Sequence, residues 1–88
     1  MKLNIINSKT FFGTDSSEEA SRISKFLTNL NIRCTCKTFY NYDTFKLYYH
    51  GDPYHVYSEA YLKNLPEFHI IRVHRFDYKK ALEYYSDY

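Results

Sequence analysis

Tryptophan is absent from the chain, and glycine, proline and cysteine occur only twice each. Two isolated glycines, Gly13 and Gly51, cannot supply a phosphate-cradling loop of repeated glycines, nor the glycine-flanked serine turn of esterases. Cys34 and Cys36 lie two apart with no second pair, which rules out four-thiolate zinc and a disulfide framework. On a strand both thiols would point to one face, too far apart for a relaxed bridge, so reduced thiols packed under a helix in an intracellular setting are expected. No run approaches the ~18 apolar residues of a membrane span, and the opening MKLNIIN lacks the long apolar stretch of a secretory signal. The expectation is a soluble, unprocessed, cytoplasmic protein. Lys and Arg number 12 against 10 Asp and Glu, so no whole-molecule field draws the chain to nucleic acid or membrane, and an electrostatic partner must be met by a local patch.

What the chain has in abundance is rings: 11 Tyr and 7 Phe in 88 residues. A chain this short forms one domain and buries only somewhat more than ~60% of its unfolded surface, so much of a thin core must be aromatic. Phe, Tyr, Met, Ile, Asn and Lys fill 39 positions against 11 for Gly, Ala, Arg and Pro. Codons rich in A and T encode the first set, which points to a low-GC genome, phage or plasmid included.

The apolar patch Leu3, Ile5, Ile6 suggests a strand over residues 2–7. TDSSEEASRISKFLTNLN offers Asp15 or Ser16 as N-cap, an acid three residues on, and Ala20, Ile23, Phe26, Leu27 and Leu30 at helical spacing, predicting a helix over 17–29. IRCTCKTFY and TFKLYYH both alternate with a two-residue period around the turn residues NYD, predicting a hairpin with Ile32, Cys34, Cys36, Phe45, Leu47 and Tyr49 on one face. Leu47→Ala is then expected to cost ~2–5 kcal/mol. Gly51 ends that strand, Asp52 caps, and Pro53 opens a second helix over about 54–65, carrying Val56, Tyr57, Ala60, Tyr61 and Leu65 and stopped by Pro66. FHIIRVHRF reads as the last strand and YKKALEYYSDY as a short terminal helix. The order β-α-β-β-α-β is that of an α+β ferredoxin-like fold: a four-stranded antiparallel sheet, two helices on one face, and a short C-terminal helix appended.

The uncovered sheet face is where function is expected. It would present Arg33, Thr35, Lys37 and Phe39 from one strand and Lys46, Tyr48 and His50 from the next, with Tyr54 just beyond Gly51. Rings among cations suit stacked bases and phosphates, yet tyrosine and arginine are equally the residues of protein interfaces. His50, Asp52, His55, His69 and His74 resemble acid-base or metal chemistry only in composition, since their spacings match no motif and no acidic cluster backs them. Asp15, Glu18 and Glu19 occupy the positive end of the first helix and would repel phosphate there. The expectation is a non-enzymatic module without metal or cofactor that binds a protein partner through Arg33, Lys37, Phe39, Lys46, Tyr48, His50 and Tyr54. Given the size and codon skew, a phage- or plasmid-borne inhibitor of a host nucleoprotein enzyme, in the manner of anti-CRISPR and other anti-defence proteins, is the expected special case. A single-stranded nucleic-acid binder on the same face is the alternative, with a small hydrolase on His50 and His55 behind it. The second and fourth strands would be open edges, available for homodimer pairing.

Overall fold

Asn4 turns the chain before any strand can begin: its Oδ1 accepts from the N–H groups of Ile6 and Asn7, at 2.9 and 3.0 Å, and leaves Ile5 and Ile6 at the surface. Such local bonding competes directly with a sheet ladder. The expected strand over 2–7 is therefore a turn from Asn4 onward, and its first residue lies outside the described residues, 3–86, of this computed structural model. The strand forms later, in a stretch the sequence disguises as a loop.

Seven elements follow among the described residues: β1 (Ser8–Thr14), α1 (Ser17–Asn29), β2 (Cys34–Phe39), α2 (Tyr42–Phe45), α3 (Glu59–Lys63), β3 (Phe68–His74) and α4 (Tyr78–Ser86). The strands make one antiparallel sheet of three, ordered β1-β3-β2, in place of the expected four. In β1 the register slips between Thr10 and Phe12, so Phe11 bulges out and both it and Phe12 join the core beneath α1. That bulge breaks the alternation that would have marked SKTFFGT as a strand.

Helix α1 forms as its sequence dictates. Ser16 accepts from the Glu19 N–H at 3.2 Å, and Ala20, Ile23 and Leu27 are buried. The helix ends in a Schellman arrangement, with Asn31 at φ 59°, its N–H on the Thr28 carbonyl and that of Ile32 on Leu27. With Ala81 of α4, these residues close the first core over Ile71 and Val73.

The expected hairpin partner over 44–50 is not a strand. Asn41 caps α2 through the Asp43 N–H, and the N–H groups of Tyr48 and Tyr49 continue the turn onto the Phe45 carbonyl. Phe45 and Tyr49, four apart, turn inward while Leu47 is 71% exposed. The second expected helix shrinks to α3, because its cap is Ser58, accepting from Tyr61, and not Asp52. Val56, placed on its apolar stripe, is fully exposed.

The sheet is consequently covered on both faces. Phe39, Phe45, Tyr49, Leu62, Phe68 and Ile70 form a second core on the face expected to be open, and central β3 is buried on both sides except at half-buried Arg72. Cys34 packs half-buried beside α1 as expected, whereas Cys36 is exposed. The edges are β1 and β2: the second strand is an edge as expected, whereas the expected fourth, here β3, lies at the centre. No helix among the described residues is long and apolar enough to cross a membrane.

Candidate functional site

Residues 49–57, in YYHGDPYHVY, form a strap over the β1 edge. Asp52 is its anchor: the buried carboxylate accepts from the Gly13 N–H (3.0 Å), the Tyr49 hydroxyl (2.6 Å), the Tyr54 N–H (2.9 Å) and His55 Nδ1 (3.1 Å). The Tyr57 hydroxyl donates to the Gly13 carbonyl at 2.8 Å. Both backbone groups of Gly13 are thus tied to the strap, which protects an edge that would otherwise invite pairing. Rings brace it on both sides, Tyr54 against Phe11, Phe12 and Tyr85, and Tyr49 and Tyr57 against Phe68.

Burial, reinforced by the Asp52 carboxylate, pushes the Tyr49 and Tyr57 phenols well above the ordinary tyrosine range. Tyr54 is pushed up to about 12, chiefly by burial, and its hydroxyl has no hydrogen-bond partner among the described residues.

A shallow groove of about 730 Å³ lies along the strap, lined in part by His50, Asp52, His55 and Tyr57. Its chemistry is limited. Asp52 orients His55 as a carboxylate orients a general base, but no serine, threonine or cysteine among the described residues is hydrogen-bonded to that imidazole, and three other donors share the carboxylate. The remaining histidines do not converge on it. His69 is buried 2.8 Å from Thr38 Oγ1, and His74 accepts the Phe76 N–H. Among the described residues no group of three or more His, Cys, Asp or Glu could hold a metal ion.

The seven expected site residues scatter. Arg33 forms a forked pair with Asp77, at 3.0 and 3.3 Å, whose hydrogen bonds hold the Asp77 carboxyl below the usual range. Lys46 pairs with Asp43 at 3.5 Å. His50 lies exposed on the strap groove, and Tyr54 packs against the first core on the opposite face of the sheet. Lys37, Phe39 and Tyr48 do meet: the Lys37 ammonium sits 4.8 Å from the Tyr48 ring centre and 5.3 Å from that of Phe39. Phe39 is nevertheless buried, as part of the second core.

Beside them opens a cleft of about 110 Å³ whose walls include Ile5, Ser8, Thr35, Ile70 and Arg72. Arg72 was not among the expected site residues. Its Nε and Nη2 donate to the hydroxyl and carbonyl of Ser8, and Nη1 to the Thr10 hydroxyl, all within 2.8 Å. Burial lowers its pKa. The signal was present in the alternation of β3, where Phe68, Ile70 and Arg72 share a face and the third is a cation.

No family model matches the chain, and no curated protein or solved structure shows significant similarity to it.

Proposed function

We propose that the chain is a non-enzymatic binding protein that engages a protein partner through the surface where Lys37 and Tyr48 border the cleft. One observation carries the choice between partners. Of the three cations that a nucleic-acid reading requires, Arg33 is held by Asp77 and Lys46 by Asp43, leaving only Lys37 for phosphate. A single strand bound through Lys37 and Arg72 would neutralise about two phosphates, a log–log salt slope near ~−1.4 and weak affinity at physiological salt. Ring surface lightly charged at its rim suits a protein instead. Blocking a host enzyme is one instance of that class.

The non-enzymatic half of the proposal rests on Asp52, whose oxygens are engaged in holding the strap to β1. Two measurements test the reading. Titration against single-stranded DNA and RNA from low to physiological salt should give weak or absent binding, and affinity capture from source cells should yield a protein that survives nuclease treatment and is lost with Tyr48→Ala. Sub-micromolar binding to either nucleic acid at physiological salt, reduced by Lys37→Ala, would overturn the proposal.

A further inference from the structure

We infer that the cleft between Lys37 and Arg72 is a subsite for a carboxylate, the side chain of an aspartate or glutamate presented by the partner. The inference rests on the protein-partner reading above and adds the chemistry of the contact. Arg22, Arg33, Lys46 and Lys63 each pair with an acid of this chain. Lys37 and Arg72 pair with none among the described residues, and no Asp or Glu is among the residues lining the cleft. Arg72 is half-buried, and the Ser8 and Thr10 oxygens that hold it are neutral. A guanidinium carries five N–H donors, so two are still available once these three bonds are made. Removing a cation from water without a counter-charge is costly, and an arriving anion offsets that cost.

Register places the two cations for a shared ligand. Thr35 stands opposite Arg72 and Lys37 opposite Ile70, so Lys37 and Arg72 are diagonal neighbours on one face, their backbone positions about 7–8 Å apart, and both side chains line the cleft. A carboxylate in the cleft would accept from an Arg72 N–H that Ser8 and Thr10 leave unused and would draw the flexible Lys37 ammonium from the Tyr48 and Phe39 rings toward its second oxygen. Ile5 and Ile70 supply apolar wall for an aliphatic stem. The cleft is small, about 110 Å³, and a carboxylate on a short stem is the ligand assigned to it.

The experiment is an NMR titration of the intact protein, following the Arg72 side-chain Nε–Hε signal. The probes are N-acetyl-glutamate methylamide, its glutamine counterpart, inorganic phosphate and a ten-residue oligo-dT. The glutamate probe should saturate with half-effect on the order of 1 mM, the scale set by the efficiency of ligands this small. Its glutamine counterpart should bind at least ~10-fold more weakly, as expected on losing a charge-assisted contact. Lys37→Gln keeps the length of an exposed side chain while removing its charge, and should weaken the glutamate probe about fivefold. Thr35→Glu supplies the acid from within, directly across from Arg72, and should abolish the response. Equal responses to glutamate and glutamine, no saturation, or tighter binding of phosphate would overturn the carboxylate subsite, and the nuclease-resistant capture would stand or fall separately. Tight oligo-dT binding at physiological salt would overturn the protein-partner reading itself.

Discussion

Gly13→Ala tests the joint between the sheet and the strap. Gly13 lies opposite Ile70 on the face of the second core, and a methyl there would sit 2.6 Å from Tyr49 Cε1 and 2.8 Å from Phe68 Cζ. Neither ring can yield cheaply. Phe68 is fully buried, and the Tyr49 hydroxyl is fixed on Asp52. Overpacking of this kind costs ~1–3 kcal/mol. If the strap lifts to relieve it, the bonds from Asp52 and Tyr57 to Gly13 are lost as well, at about 1 kcal/mol each. The sum, ~3–5 kcal/mol, is a large part of a small domain's stability and, at about 4–8 °C per kcal/mol, lowers Tm by ~12–40 °C. Urea unfolding followed by circular dichroism measures it, with the slope unchanged. Because the cause is a ring collision, the substitution should cost less in a Tyr49→Ala background, with a coupling of ~1 kcal/mol or more. Gly51→Ala is the control: φ is 109° with nothing within 4 Å, so it destabilises through backbone strain alone and shows no coupling to Tyr49. A wild-type midpoint for Gly13→Ala, or strict additivity with Tyr49→Ala, would refute the reasoning.

Two further outcomes follow from burial. Leu47→Ala should change stability by no more than ~0.5 kcal/mol, whereas Phe45→Ala should cost ~3–5 kcal/mol, and equal losses in denaturant would restore the strand expected over 44–50. Tyr49, Tyr54 and Tyr57 have phenols raised in the fold, mainly by burial, so their neutral forms are favoured there. Their contribution is fully present below the unfolded value near ~10 and is lost as pH rises through the higher folded values, with Tyr54 at about 12. Phenolate absorbance of the folded protein should lag behind that of the urea-unfolded chain above pH ~10, and superimposable curves would refute the buried-ring description.

The parts of the fold that were legible are those where one signal had no rival. Helix α1 combined a serine cap with four turns of consistent period, and the structure reproduces its expected span. Strands β2 and β3 and helix α4 stand where alternation and spacing put them, within a residue or two. TFKLYYH failed because its pattern satisfies two periods at once. Phe45 and Tyr49 fit a strand or a helical turn equally, and only the outward position of Leu47, set by the packing of Phe45 and Tyr49 on Phe68, distinguishes them. β1 failed for the opposite reason, since its bulge and Gly13 erased a real period.

The candidate site divides on the same physics. Alternation correctly paired Lys37 with Phe39, and Tyr48 reached them even though its own segment is not a strand, because the turn after α2 lays it against the end of β2. Arg33 and Lys46 were lost to Asp77 and Asp43, acids whose positions no periodicity reports because they sit beyond the strand ends. Arg72 was overlooked inside a segment read only as the last strand. A cation in a row of buried apolar residues has to find its oxygens across the sheet, and β1 supplies them at Ser8 and Thr10, the segment whose strand the sequence concealed. The missed strand and the missed site residue therefore have one cause: without β1 beside β3, nothing in the sequence explained how Arg72 could be accommodated where it is.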